Sequence, residues 1–240
     1  MTPLDEQKRA LLLKWHEEGF PEPLINAFAE VPRELFLPEE QRANAYRDQP
    51  LPIGFDQTIS QPTTIMLMLQ LLEVVSLKSP GRASKGSVSP ARETHMKVLE
   101  IGAGSGYVCA LLAELGCAVT GIEIVPELAI QASRILTKLG YADRVSIHAG
   151  DGSGGWEEDA PYDRILISAG APDVPRHLFW QMKPRGILVV PVGRVEQRML
   201  VCRKKNGEVT EEDHGAFLFV PLTGKWGVED ADDVPNLPFV

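Results

Sequence analysis

The sequence predicts an α/β fold in which a doubly wound, mostly parallel sheet is covered by helices on both faces. From Lys97 onward, short aliphatic runs such as KVLEI, CAVTGIEI and DRILIS alternate with segments of helical period such as YVCALLAELG and PELAIQASRILTKLG. Strands that are hydrophobic along their whole length are typical of parallel sheets buried on both faces. A glycine-rich turn, GAGSG, follows the first strand, and open sheets of this Rossmann-like type bind ligands at such turns.

Composition excludes several classes of protein. The 240 residues carry a net charge of -9, which argues against a non-specific nucleic-acid binder because phosphate contacts need a basic surface. No run of about 18 apolar residues predicts a membrane span, and the N-terminus lacks the pattern of a signal peptide. Cys109, Cys117 and Cys202 lie among apolar neighbours, which predicts buried free thiols in a reducing cytoplasm.

We expect one structural domain made of four segments. Residues 1–75 form an N-terminal helical segment, and residues 76–96 form a flexible insertion that is rich in Ser, Gly and Pro and also basic. Residues 97–226 form the α/β core, in which the late apolar segments QRMLVCRKK and GAFLFVPL are expected as further, antiparallel strands. Residues 227–240 have neither helical nor strand period and are expected to form an acidic tail.

The N-terminal segment is predicted to contain three helices. Thr2 and Pro3 have the residue types of an N-cap and a first helical position. A second helix is expected over residues 23–31, and an apolar third over residues 61–75. Between them, a proline-rich stretch predicts turns and extended chain around one short helix. Residues 57–64, QTISQPTT, begin the third helix, and local chemistry alone favours a helix start over a site.

The glycine turn favours an adenosyl group over a dinucleotide. Gly102, Gly104 and Gly106 are spaced G-x-G-x-G, whereas the dinucleotide fingerprint is G-x-G-x-x-G, and Tyr107 stands in place of its last glycine. Taken alone, this spacing fits a simple tight turn equally well. Glu123 closes the next strand, where a carboxylate can accept both hydroxyls of a ribose. The turn AGDGSGG after the third strand brings Asp151 beside the expected adenine, or is only a flexible turn.

These residues resemble the S-adenosylmethionine-dependent methyltransferases, and the resemblance extends to one family. The segments PLPIGFDQTISQP, VLEIGAGSGY, GDG followed by APYDRILISAGAP, GILVVPVG and FVPL occur in the order and spacing of the protein-L-isoaspartate (D-aspartate) O-methyltransferases. The match runs from about Val31 to Thr223 and omits the insertion. The combination of TIS-x-P with the glycine loop is specific to this family.

The resemblance implies a function and a set of site residues. It implies a cytoplasmic repair enzyme that transfers a methyl group from S-adenosylmethionine to the free carboxylate of L-isoaspartyl and D-aspartyl residues, leaving S-adenosylhomocysteine and an ester that closes to a succinimide. Ser60 matches the active-site serine. The implied cofactor-contacting residues are Thr58, Ile59, Glu100, Gly102, Gly104, Gly106, Glu123, Ile124, Asp151, Gly152 and Thr223. Neither a metal nor a nucleic-acid or membrane partner is implied, and we expect a monomer.

Three departures from the family pattern leave the substrate open. Asp56 stands where the family often has Gly, Thr63 and Thr64 stand where His, Tyr or Met is common, and the insertion is long. A carboxyl methyltransferase for another peptide or a small acid is therefore an alternative. A non-catalytic nucleoside-binding protein and a nicotinamide dehydrogenase are further alternatives, and the glycine spacing argues against the dehydrogenase.

Overall fold

A computed structural model describes residues 2–75 and 95–228, so most of the predicted insertion and tail lies outside the described residues. The α-helices are α1 (Pro3–Glu17), α2 (Glu22–Glu30), α3 (Pro62–Leu71), α4 (Tyr107–Glu114) and α5 (Pro126–Lys138). The strands are β1 (Leu51–Gly54), β2 (Gln57–Ile59), β3 (Lys97–Ile101), β4 (Ala118–Glu123), β5 (Val145–Ala149), β6 (Tyr162–Ile167), β7 (Met182–Val192), β8 (Gln197–Lys205) and β9 (Glu208–Phe217). Short 3-10 helices span Arg33–Phe36, Glu39–Asn44, Glu157–Asp159 and Arg176–Gln181.

The large sheet has the strand order β5-β4-β3-β6-β7-β8-β9. The first five of these strands are parallel, and the last two continue the sheet antiparallel. Strand order therefore reverses at β3, since β4 and β5 lie on one side of it and β6 and β7 on the other. The predicted mostly parallel Rossmann-like sheet is confirmed, and its reversal point is the place where such sheets bind ligands.

Alternating side chains of the sheet pack into two hydrophobic clusters. Val98, Val119 and Leu166 point into a cluster that also contains buried residues of all five α-helices. Leu99 and Ile165 point to the other face, which is covered by loops and by the 3-10 helix Arg176–Gln181. Because the N-terminal helices share a cluster with the sheet, they form part of one core.

A local signal, a capping box, accounts for the start of α1. Thr2 accepts a hydrogen bond from the Asp5 amide, and the Asp5 carboxylate accepts one from the Thr2 amide in return. The predicted second helix is confirmed within one residue. The predicted end of the third helix is wrong, because α3 stops at Leu71 rather than at residue 75. Glu73 has a positive φ of 51°, and the Arg164 guanidinium binds the Leu72 carbonyl at 2.6 Å beyond the helix end.

The last strand was predicted in the wrong place. Strand β9 is formed by EVTEEDHGAF rather than by residues 215–222. Its acidic residues have no hydrophobic period, but Asp213 and Glu212 pair with Arg198 and Arg203 of β8. Beyond β9 the chain forms no further strand within the described residues, but it meets the core through a bridge between Gly170 and Pro221 and through the buried side chains of Phe219 and Leu222. An exposed edge strand tolerates charge, which is why apolar patterning misplaced it.

Two further sequence expectations concern burial and membrane association. Cys109, Cys117 and Cys202 are buried free thiols, as predicted. Over residues 2–75 and 95–228, none of the helices combines the length and the apolar character needed to cross a bilayer.

The stretch before α3 is more ordered than predicted, with two 3-10 helices and a hairpin. Strands β1 and β2 pair antiparallel around a two-residue turn, Phe55–Asp56. Both turn residues have positive φ, 54° and 55°, as a type I′ turn requires. Asp tolerates this conformation better than most side chains, whereas glycine adopts it without steric strain. The departure at Asp56 is therefore a matter of turn geometry.

We expect the substitution Asp56→Gly to increase the free energy of unfolding by about 0.5–1 kcal/mol. Glycine removes the left-handed strain from the folded state, and this gain outweighs the conformational entropy that glycine adds to the unfolded chain. Denaturant unfolding measures the change. Asp143→Gly is the matched control, since Asp143 is an exposed turn residue whose φ is not positive. A loss of stability in Asp56→Gly as large as in Asp143→Gly would contradict the assignment of strain.

Candidate active site

The glycine loop leaves the carboxyl end of β3 at the point where strand order reverses. Gly102, Gly104 and Gly106 all have positive φ, at 79°, 53° and 82°. The amide of Gly102 donates to the carbonyl of Ile122 at the end of β4, at 2.9 Å. A Cβ added to Gly106 would lie 3.0 Å from the Cβ of Ala132 in α5. The loop thus needs glycine both for its conformation and for the close approach of α5.

Glu123 is the buried carboxylate of the loop. Its two oxygens accept hydrogen bonds from the amides of Gly104, at 2.7 Å, and Val125, at 2.9 Å. Burial raises the pKa of Glu123, although these amides oppose the shift. A carboxylate offers about four lone-pair sites, so two acceptor positions remain. Glu123 can therefore accept two more donors, such as the adjacent hydroxyls of a ribose.

Glu100 lies behind the loop rather than at its open side. The side chain is 1% exposed, and its oxygens accept from the Cys109 thiol at 2.8 Å and the Ser168 hydroxyl at 3.0 Å. Burial raises the pKa of Glu100 to about 7, and hydrogen bonds from Cys109 and Ser168 oppose the shift. Glu100 lines a small cavity that it shares with Ser60, Ser168 and the glycine loop. Its contacts organise Ser168, which borders the open cleft.

Asp151 connects the turn after β5 to the C-terminal end of the described chain. Its oxygens accept from the amides of Ser153 and Lys225, each at 2.8 Å. Burial raises its pKa, but the hydrogen bonds from Lys225 and Ser153 outweigh burial and leave the pKa below its usual value. Next to it, a Cβ on Gly152 would lie 3.0 Å from Ile122. Asp151 therefore holds residues 223–226 beside the cleft, a role that the sequence pattern did not indicate.

Most of the predicted site residues border two clefts that join. The cofactor-side cleft is lined by Gly102, Gly104, Glu123, Ile124, Gly152, Thr223 and Thr58, whereas Gly106, Ile59, Glu100 and Asp151 line neither cleft. The second cleft has a volume of about 340 Å³ and runs between two chain segments; its lining is Pro50, Thr58, Ser60, Gln61, Thr64, Ser168, Ala216, Phe217, Leu218, Phe219 and Val220. Thr58 and Ser168 line both clefts, so the two meet beside Ser60.

The predicted contact residues Ile59 and Ile124 differ in their exposure, and a further groove lies away from both. Ile59 is only 5% exposed and belongs to the core, whereas Ile124 is 40% exposed at the cofactor-side cleft. A larger groove of about 510 Å³ lies between α5 and Leu35–Pro38, but neither Ser60 nor Glu123 lines it. Size alone therefore does not identify the site. In the parts of the chain that the structure describes, no three His, Cys, Asp or Glu side chains converge to hold a metal ion.

The start of α3 is fixed by a carboxylate from outside the helix. Asp48 accepts from the Thr63 amide at 2.9 Å and from the Thr63 hydroxyl at 2.6 Å, and it pairs with Lys14 at 2.8 Å. Trp15 donates to the same hydroxyl at 3.0 Å. Thr63 is therefore turned toward α1 rather than into the cleft, whereas Thr64 lines the cleft. Of the two predicted departures here, only Thr64 can touch a ligand in the cleft.

Several residues that shape the cleft were not predicted. Ser168 could have been found, since it follows β6 at the reversal point. Asp48, Arg33 and Gln197 could not, because no periodicity indicates which polar residue will reach across the fold to another segment. Their partners are 15 to 27 residues away in the chain.

Comparisons with known proteins agree with this geometry. The family model described as protein-L-isoaspartate(D-aspartate) O-methyltransferase matches residues 6–227. "Protein-L-isoaspartate O-methyltransferase 2" of Archaeoglobus fulgidus is 41% identical over 93% of this chain and 95% of its own length. A protein-L-isoaspartate O-methyltransferase of Methanocella arvoryzae is 44% identical over 82% of this chain and 96% of its own.

Solved structures extend the similarity to the fold. One protein-L-isoaspartate O-methyltransferase superposes with a TM-score of 0.78 and 26% identity, covering 92% of this chain and 67% of that one. A second, described as a putative enzyme of the same name from Plasmodium falciparum in complex with S-adenosyl-L-homocysteine, gives a TM-score of 0.72 at 23% identity. It covers 89% of this chain and 97% of that one. At that identity the second match supports the fold only.

We expect Asp48→Asn to lower the free energy of unfolding by about 1 kcal/mol at pH 7, because a charged acceptor is lost from the start of α3. Burial raises the pKa of Asp48, but hydrogen bonds from Lys14 and Thr63 outweigh it, so the folded-state pKa is lowered. The carboxylate's contribution is therefore present above the unfolded pKa and is lost as pH falls through the folded one.

Unfolding curves between pH 7 and about pH 2 test this expectation, because the difference from wild type should shrink as Asp48 is protonated. Asp143→Asn, at an exposed aspartate that accepts no amide among the described hydrogen bonds, is the control. A deficit in Asp48→Asn that does not depend on pH would contradict the charged cap.

Proposed function

The chain belongs to the protein-L-isoaspartate(D-aspartate) O-methyltransferase family, and we propose that it methylates the free carboxylate of L-isoaspartyl and D-aspartyl residues in damaged proteins and peptides. S-adenosylmethionine is the proposed methyl donor. The resulting ester begins repair by closing to a succinimide. The observation that carries the proposal is the meeting of the glycine-loop cleft and the cleft between residues 58–64 and 216–220 beside Ser60.

The residues of the glycine loop fit an adenosyl cofactor. Glu123 retains two acceptor positions for ribose hydroxyls after binding the Gly104 and Val125 amides. Gly102 and Gly104 line the cleft without side chains, so main-chain atoms can approach a ligand closely. Ile124 offers an exposed apolar surface beside them. When bound, S-adenosylmethionine supplies an electrophilic methyl group on a sulfonium.

The chain's contribution to the reaction is positioning. A substrate carboxylate of pKa about 4 is ionised at neutral pH, so the reaction requires no general base. We assign Ser60 the role of donating a hydrogen bond that orients this carboxylate, with Thr58 and Ser168 bordering the junction. Residues that hold reactants in line and exclude water supply much of such an enzyme's effect.

The two departures that lie within the described residues, at Asp56 and at Thr63-Thr64, do not favour another substrate. The lining of the cleft does not include Asp56, which occupies a strained turn. Thr63 is engaged by Asp48 and Trp15. Of these positions only Thr64 lines the cleft, where it can alter peptide preference without adding charge.

The remaining parts of the proposal concern organisation and compartment. Residues 1–75 supply one side of the substrate cleft, through Thr58, Ser60 and Thr64. Residues 97–226 supply most of the cofactor side and, through residues 216–220, the opposite side of the substrate cleft. The three buried free thiols suit a reducing cytoplasm. A monomer is proposed as the active form, since the residues that line both clefts come from one chain.

The function is tested by incubating the chain with labelled S-adenosylmethionine and three acceptors of matched sequence: an isoaspartyl peptide, its aspartyl isomer and a small dicarboxylic acid. We expect methyl ester on the isoaspartyl peptide. Ester found on the aspartyl peptide or the small acid alone would overturn the proposal.

Two substitutions separate the roles within the site. Ser60→Ala should lower kcat on the isoaspartyl peptide by about tenfold or more, because a hydrogen bond to a charged group is lost, with S-adenosylhomocysteine affinity retained. Glu123→Ala should instead weaken S-adenosylhomocysteine binding in calorimetry by about tenfold or more, because two ribose acceptors are lost. Unchanged turnover in the first variant, or unchanged affinity in the second, would remove that residue from its role.

A further inference from the structure

Two buried side chains outside the site bind the main chain of the cleft's two walls. The first wall consists of residues 58–64, which include Ser60, and the second wall consists of residues 216–220. Arg33 donates to the Ser60 carbonyl at 2.7 Å. Gln197 accepts from the Phe219 amide at 2.7 Å and donates to the Phe219 carbonyl at 3.0 Å. Each wall is thus held through its backbone.

The environment of Arg33 is costly for a cation. The side chain is fully buried, and among the described residues no carboxylate forms an ion pair with it. Its charge is met by the carbonyls of Ala45 and Ser60 and by the Tyr107 ring, whose centroid lies 5.1 Å away. Its Nη1 has no hydrogen-bond partner within residues 2–75 and 95–228. Burial lowers the pKa of Arg33 to about 10, so the group stays charged at neutral pH.

A buried cation without a carboxylate partner is expensive, and the contacts made by Arg33 indicate what it accomplishes. It joins Ala45, in the segment before β1, to Ser60, in the segment before α3. An apolar side chain would fill the same space without fixing either carbonyl. The guanidinium therefore determines where the main chain of Ser60 lies relative to the core.

Gln197 gives the second wall the main-chain hydrogen bonds that a neighbouring strand would otherwise provide. Its amide is 1% exposed and pairs with both main-chain groups of Phe219, where β9 has already ended. A Cβ on Gly170 would collide with the Gln197 amide, so Gly170 leaves the space that this side chain fills. Gly170 itself donates to the Val220 carbonyl at 2.8 Å. The irregular segment after β9 is thus anchored residue by residue.

We propose that Arg33 and Gln197 are positioning residues that keep the two walls preformed for an extended peptide, so that the susceptible carboxylate reaches Ser60. The inference rests on the proposed function. Preformed walls reduce the ordering that a peptide must impose when it binds, and ordering opposes affinity. Loss of either anchor should therefore act on peptide binding more than on cofactor binding, because the residues that they hold, Ser60 and Phe219, line the cleft between the two walls and not the cofactor-side cleft.

The experiment uses the variants Gln197→Met, Arg33→Met and Arg33→Lys, with Gln181→Met as matched control. Gln181 is also buried, and its amide pairs in the same manner with main-chain groups, accepting from Trp156 and donating to Gly154, each at 2.8 Å. Those groups lie outside the cleft between the two walls. Arg33→Lys keeps the charge, but its single ammonium cannot reach the carbonyls of both Ala45 and Ser60. This variant tests the role of Arg33 if Arg33→Met does not fold.

We expect kcat/KM on the isoaspartyl peptide to fall about tenfold in Gln197→Met and in the Arg33 variants, mainly through KM, since each loses one or two buried hydrogen bonds. S-adenosylhomocysteine affinity should stay close to wild type. Amide hydrogen exchange should become faster at Phe219 in Gln197→Met and across residues 58–64 in the Arg33 variants. Gln181→Met should leave KM for the peptide and both exchange readouts unchanged.

Wild-type KM in the folded variants would overturn the inference, as would an equal rise of KM in Gln181→Met, which would indicate a general effect of lost buried hydrogen bonds. Unchanged exchange at Phe219 in Gln197→Met would also overturn it. Failure of the proposed function has a different signature, in which the wild-type chain leaves the isoaspartyl peptide unmethylated. In that case, faster amide exchange in the Arg33 and Gln197 variants but not in Gln181→Met would still support the role of Arg33 and Gln197 in holding the walls.

Discussion

The main chain that leaves β3 must turn between the carbonyl of Ile122 and the side chain of Ala132, where Gly106 has a positive φ of 82° and a Cβ would lie only 3.0 Å from the Cβ of Ala132. The constraint arises where strand order reverses, so the loop lies open on one side. Glu123, at the end of the neighbouring strand, binds the Gly104 amide and thereby fixes the open side of the loop. Every other part of the site is arranged around this turn.

Charge and hydrogen bonding are used mainly to hold backbone. Asp48 fixes the start of α3, Asp151 fixes the segment around Lys225, and Arg33 and Gln197 fix the cleft's walls. This division suits a reaction whose nucleophile is already ionised, because the enzyme then needs alignment more than acid–base chemistry. A titratable base beside Ser60 would add little. The described lining of the cleft between residues 58–64 and 216–220 contains no carboxylate or histidine, and Glu100, which shares a small cavity with Ser60, already accepts hydrogen bonds from Cys109 and Ser168.

The sequence allowed the sheet, the glycine turn and Glu123 to be predicted because each depends on neighbours close in the chain. Hydrophobic runs and glycine spacing are local signals, and the structure confirms the parallel strands and the tight turn that they predict. The predictions that were wrong depended on distant partners. Strand β9 is acidic and forms through pairs with Arg198 and Arg203, and α3 ends early beside Arg164, which belongs to β6. The anchors of the cleft lacked a local signal for the same reason.

The central claim is that the susceptible carboxylate meets Ser60 where the two clefts join. A crystal structure of the chain with S-adenosylhomocysteine and an isoaspartyl peptide tests it most directly. The account predicts that the isoaspartyl carboxylate lies within hydrogen-bonding distance of the Ser60 hydroxyl, and that the peptide backbone runs between residues 58–64 and 216–220. A peptide seated instead in the groove between α5 and Leu35–Pro38, with its carboxylate away from Ser60, would contradict the account.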